Sequence, residues 1–109
     1  MCYGTGITFL LRGLPLIAID LGPRFHLGRI LITANAEASL AAEDLSAALR
    51  RHGRGDWGEL CAAAAKQNEH SLLDGGRLVS VYHGRNCVQF YIITESDRNS
   101  TTILLPEDC

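Results

Sequence analysis

A chain of 109 residues is enough for one domain and too short for two. With 47% hydrophobic and 20% charged residues, it groups with globular chains rather than disordered or fibrous ones and can bury a small core. Ten basic against twelve acidic side chains leave a net charge of −2, which carries no signature of a nucleic-acid or anionic-membrane binder.

Residues 1–25 differ in composition from the rest and are read as an apolar N-terminal extension, with residues 26–109 forming a single domain. Arg12, Pro15 and Asp20 interrupt the apolar stretch, so it fits neither a membrane span of about 20 apolar residues nor a secretory signal. Three explanations stay open: an added strand or helix on the core, a disordered or partner-bound arm, and a translation start placed too early. The Gly22-Pro23 pair separates this segment from the remainder of the chain.

From Leu27 the pattern becomes regular. Gly28 to Thr33 is a short β-branched run that predicts a strand. Asn35 to Arg51 places Leu40, Leu45, Ala48 and Leu49 near one face, which predicts an amphipathic helix with a break near Ala41. Arg50, Arg51 and His52 set positive charge at its C-terminal end, where Gly53 or Gly55 supplies a left-handed cap. Asp56 with Glu59 three positions on reads as a capping box opening a second helix, which runs to about Leu73 before Asp74-Gly75-Gly76. Trp57 is expected to anchor the core edge with its indole N–H partnered.

The last third reads as sheet: strands over Arg77–Tyr82, Val88–Thr94 and Thr101–Leu105, joined by polar turns and stopped by Pro106. The predicted class is therefore α+β, with two or three helices packed on one face of a small antiparallel meander.

Motifs are sparse. Gly4-Thr5-Gly6 lacks the glycine spacing of a phosphate loop, and neither GxSxG nor HExxH occurs, so no cofactor and no metal is expected. Cysteines 2, 61, 87 and 109 form no CxxC and read as reduced thiols of a cytoplasmic protein; their spacing leaves open whether Cys61 and Cys87 meet. What remains is a polar set on the predicted sheet: Arg77, Ser80, Tyr82, His83, Tyr91, Thr94, Glu95, Asp97, Arg98, Thr101 and Thr102. Within it, Glu95 or His83 could act as base and Arg77 and Arg98 could neutralise phosphate, the groups that attack by a ribose 2′-hydroxyl needs.

Two resemblances are carried by these residues. The run from RLVSVY to TTILL loosely resembles microbial ribonucleases of the barnase kind and the related toxin fold, which implies RNA cleavage on the sheet face. The stretches GRGDWGEL, GGRLVSVY and FYIITESDRNSTTILLPED are more closely similar to the plasmid-related proteins, a family of small proteins carried by plasmids, phages and other integrated elements. This likeness spans residues 27–109, is most specific from Ile92 to Asp108, and departs at Cys109, where an aromatic is expected. It implies an accessory role on a mobile element and carries over no activity, cofactor or catalytic residue.

The expected function is non-catalytic binding of a host protein or nucleoprotein complex, with Glu43, Asp44, Asp56, Glu59 and Glu69 as the candidate contact groups. The alternative is a ribonuclease-like toxin, or its inactive descendant, using Arg77, His83, Glu95 and Arg98 on RNA. No membrane partner is expected. Homo-oligomerisation through residues 1–25 or a strand edge is a further option.

Overall fold

The computed structural model describes residues 23–109; the apolar segment up to residue 22, with Gly4-Thr5-Gly6 and Cys2, lies outside the described residues. Strand β1 (Arg29–Ile32) leads into helices α1 (Ala34–Ser39), α2 (Ala42–Gly53) and α3 (Ala62–Asp74), followed by strands β2 (Leu78–His83), β3 (Gln89–Thr94) and β4 (Ser100–Leu104). A short 3-10 helix, Pro106–Asp108, comes last.

The predicted α+β architecture is present, with helices against one face of the sheet. The strand order is β1-β4-β3-β2. Strands β2, β3 and β4 form the expected antiparallel meander, with Ser80 opposite Ile92 and Ile92 opposite Ile103. Strand β1 joins beside β4 in parallel, Ile32 opposite Ile103, so the sheet is mixed. Alternation sends Leu78, Ser80, Tyr82, Phe90, Ile92, Thr94, Thr101 and Ile103 toward the helices, where all are buried. There Tyr82, Phe90, Ile92, Ile103 and Leu105 pack with Ala36, Leu40 and Ala48.

The predicted break near Ala41 divides the helical stretch in two. Thr33 caps α1, its side chain accepting from the Ala36 N–H at 3.2 Å. Leu40 and Ala41 are extended, which turns the chain before α2 starts with Glu43 and Asp44 in its first turn. Past the end of α2, Gly55 takes φ +83°. Gly75 caps α3 in the left-handed conformation at φ 86°, its N–H donating to the Ser71 carbonyl.

The capping box predicted at Asp56 does not form. Gly58 adopts φ +72°, and residues 57–59 form a single parallel bridge to β2: the Val81 N–H donates to the Trp57 carbonyl at 3.2 Å, and the Glu59 N–H to the Val81 carbonyl at 2.8 Å. Helix α3 therefore begins only after Cys61. Asp56 instead accepts from the Gly58 N–H and pairs with Arg51. Trp57 is 6% exposed and donates its indole N–H to Glu69 at 3.0 Å, as expected of a partnered core-edge ring.

His52 also departs from expectation: it does not present charge at the end of α2 but is fully buried. Cys61, Cys87 and Cys109 are exposed free thiols. Among the described residues no helix is long and apolar enough to cross a membrane.

Candidate functional site

The four residues considered for catalysis divide between the two ends of β2. Arg77, just before β2, donates from Nε and Nη2 to Glu95 Oε1 at 3.3 and 3.2 Å. Arg98, in the turn between β3 and β4, is drawn to the same end, but its guanidinium is directed at main chain. Its Nη1 donates to the carbonyls of Gly76 and Glu95 at 2.6 and 3.0 Å, and its Nη2 to that of Ser71 at 3.0 Å. Arg98 thus ties the end of α3 to the β3–β4 turn. His83 closes the opposite end of β2, paired in register with Gln89, and its Nδ1 meets Glu59 at 2.7 Å. The fold therefore groups Arg77, Glu95 and Arg98 and places His83 a full strand length away.

Four of the five acidic candidates are paired with an arginine, and the fifth, Glu59, is hydrogen-bonded to His83. Asp44 accepts from the Arg85 backbone N–H at 2.9 Å and from Arg85 Nε at 3.2 Å, while Glu43 lies 3.8 Å from the same guanidinium. Asp56 pairs with Arg51 at 2.7 Å, Glu59 with His83, and Glu69 with Arg24 at 3.0 Å. Hydrogen bonds from Arg85 hold the Asp44 carboxyl below its usual range; those from Arg51 do so for Asp56, and those from Arg24 and then the Trp57 indole for Glu69. The negative charge is dispersed over separate pairs rather than gathered into one anionic surface.

The polar set on the sheet separates by strand alternation. Ser80, Tyr82, Thr94 and Thr101 face the helices, whereas Arg77, His83, Tyr91, Glu95 and Thr102 lie on the other side. Buried Ser80, Thr94 and Thr101 meet a residue that sequence reasoning missed in this role, His52. Its Nδ1 lies 2.5 Å from Ser80 Oγ and its Nε2 2.9 Å from Thr94 Oγ1; Thr94 Oγ1 lies 2.7 Å from Thr101 Oγ1, which donates to the Leu27 carbonyl at 2.6 Å. Proton counting orders the chain. Thr101 gives its O–H to Leu27, so it accepts from Thr94, and Thr94 accepts from the Nε2–H of a neutral His52. Nδ1 then accepts the Ser80 O–H.

A serine donating to an imidazole has the connectivity of an activated nucleophile. Here both residues are fully buried, with Phe25 and Trp57 packed around the ring at centroid distances of 5.3 and 5.7 Å, so the network locks the core. Burial pushes the His52 pKa down to about 4. A signal for it was present: Leu45, Ala48, Leu49 and His52 follow the i, i+3, i+4, i+7 spacing of a buried helical stripe.

A second missed residue is Asn68 of α3, buried at 4% exposure. Its amide donates to the Val79 carbonyl at 2.7 Å and accepts from the Val79 N–H at 3.2 Å, standing in for a neighbouring strand. With residues 57–59 on Val81, it satisfies the outer edge of β2.

The face of the sheet away from the helices bears half-buried Val79, Val81, Tyr91, Ile93 and Thr102, rimmed by Arg77 with Glu95 and by His83 with Glu59. Among the described residues no group of three or more His, Cys, Asp or Glu side chains converges as a metal ion requires. Comparison with protein-family models, with curated proteins and with solved structures finds no match for the chain.

Proposed function

We propose that this chain is a non-catalytic accessory protein of a mobile genetic element that acts by binding a host protein, alone or within a nucleoprotein complex, through the sheet face turned away from the described helices. The observation that carries the reading is the composition of that face: aliphatic Val79, Val81 and Ile93 around Tyr91, bounded by ion-paired polar groups. An apolar centre with an aromatic and a charged rim is the usual anatomy of a protein–protein contact. The mobile-element setting rests on the resemblance to plasmid-related proteins. The acidic candidates contribute as rim groups at most, because Asp44, Asp56 and Glu69 are paired with Arg85, Arg51 and Arg24, and Glu59 is hydrogen-bonded to His83.

The ribonuclease alternative has less support. Arg98 spends its donors on backbone carbonyls, Arg77 and Glu95 neutralise each other, and His83 lies at the far end of the strand. Cleavage of labelled RNA across a pH series, with Glu95→Ala and Arg98→Ala alongside, separates the readings: binding without catalysis predicts no cleavage above the variants. For the binding arm, capture from host extract is expected to be lost with Tyr91→Asp and kept with Leu73→Asp, whose side chain is 89% exposed. Capture indifferent to Tyr91, or RNA cleavage that depends on Glu95, would overturn the proposal.

A further inference from the structure

The two edges of the sheet are finished differently. Along β2 the outward polar groups of Val79 are met by the Asn68 amide and those of Val81 by Trp57 and Glu59. Along β1, the Arg29 N–H donates to Asn99 and the Thr33 N–H to Ile103, both on the β4 side. Alternation in a parallel ladder then directs the backbone N–H and C=O of Ile30 and Ile32 outward, and among the described residues nothing pairs with them. On this strand Ile30 is 45% and Leu31 41% exposed, two of the three exposed large apolar side chains among the described residues. A free edge carrying exposed aliphatic residues is a template for another strand.

The geometry points to a second copy of this chain as that strand: we infer a twofold dimer in which β1 pairs antiparallel with the partner's β1 about an axis through Leu31. This register makes Ile30 and the partner's Ile32 the hydrogen-bonded pair, which uses all the outward groups of both strands. It also places Leu31 against the partner's Leu31 as a non-hydrogen-bonded pair, where cross-strand side chains come closest. Arg29 falls opposite the partner's Thr33, on the same face.

Charge agrees with that register. The Thr33 hydroxyl donates to Asp108 Oδ2 at 2.6 Å and the Asn35 amide to Oδ1 at 2.8 Å; these bonds hold the carboxyl below its usual range, so Asp108 is anionic at Thr33. Arg29 is exposed and forms no ion pair with any described carboxylate. In the dimer each Arg29 comes beside the partner's Asp108, giving two equivalent attractions, and no like charges face each other. The two sheets become one of eight strands. The inference is independent of the binding reading, since it rests on the strand edge and not on the sheet face turned away from the described helices.

Four-residue strands bury little area, so the full chain is to be followed by sedimentation equilibrium up to about 200 μM. The expected result is a concentration-dependent dimer. Leu31→Lys and Leu31→Glu place like charges across the axis and should each weaken association by about tenfold or more. An equimolar mixture of the two should re-form a dimer, a rescue that general destabilisation cannot produce. Leu73→Lys should associate as the parent does. If either Leu31 variant loses the parent circular dichroism spectrum, Arg29→Glu supplies the reading, with weaker association expected. A parent chain that stays monomeric, Leu31 variants that dimerise unchanged, a folded pair that fails to recombine, or an indifferent Arg29→Glu would each overturn the inference.

Discussion

Arg98 combines two opposing contributions in one side chain. Its backbone sits at φ 60°, a region that costs an L-residue about 1–2 kcal/mol. Its guanidinium meanwhile satisfies carbonyls at Gly76, Glu95 and Ser71, and hydrogen bonds from a charged donor are worth more than neutral ones. Arg98→Ala keeps the backbone cost and loses the bonds, so chemical denaturation should show a loss of about 2–3 kcal/mol. Arg98→Gly loses the same bonds but relieves the backbone and should recover about 1 kcal/mol of that loss. Equal stability of the two variants would mean that the positive φ carries no cost here. Asn68 presents a simpler balance: Asn68→Ala leaves both polar groups of Val79 without their partner, with an expected loss of about 2 kcal/mol and faster amide exchange at Val79. Neither role was legible in the sequence. Arg98 lies in a polar run that reads as an ordinary charged turn, and Asn68 in an alanine-rich helix where nothing marks it as facing a strand edge.

Strands β2 and β3 and helix α2 were legible because their burial follows local periodicity. Alternation in Leu78–Tyr82 and Phe90–Thr94 and the spacing of Leu45, Ala48 and Leu49 are decided within a few residues. The parallel pairing of β1 with β4 was not, because register between strands some 70 positions apart depends on packing that no local pattern encodes. Residues 56–60 misled for a different reason. Asp56 and Glu59 have capping-box spacing, but Gly58 between them takes a conformation closed to helix, and the run joins β2. A Cβ on Gly58 would strike the Val81 carbonyl and the Tyr82 ring as well as strain the backbone. Gly58→Ala should therefore cost about 2 kcal/mol or more and alter Trp57 fluorescence. At Gly75, with similar φ but no atom within 4 Å of the added Cβ, Ala should cost only about 1 kcal/mol. If both substitutions cost the same, the segment's approach to Val81 is not what fixes glycine at position 58.

The His52 network crosses every layer of the fold, running from α2 through β2, β3 and β4 to Leu27 ahead of β1, so its protonation bears on the stability of the molecule as one unit. Burial pushes the pKa from 6.5 down to about 4, and the ring's hydrogen-bond partners, Ser80 and Thr94, are neutral and supply no compensating charge. Above pH 6.5 the imidazole is neutral folded or unfolded. Between the two values the unfolded chain binds a proton that the folded one excludes, so stability falls as pH falls, by about 3 kcal/mol in all. Asp44, Asp56, Glu69 and Asp108 act in a lower window: their partners hold them below the ordinary carboxylate range, and the stability they contribute is lost as pH drops from that ordinary range down through the depressed values. The loss between pH 6.5 and 4.5 thus belongs to His52. His52→Gln keeps a donor and an acceptor for the two hydroxyls but cannot titrate, and urea denaturation across that interval should give a much flatter profile than the parent. A variant that retains the parent slope would remove the buried imidazole as the source of the acid sensitivity.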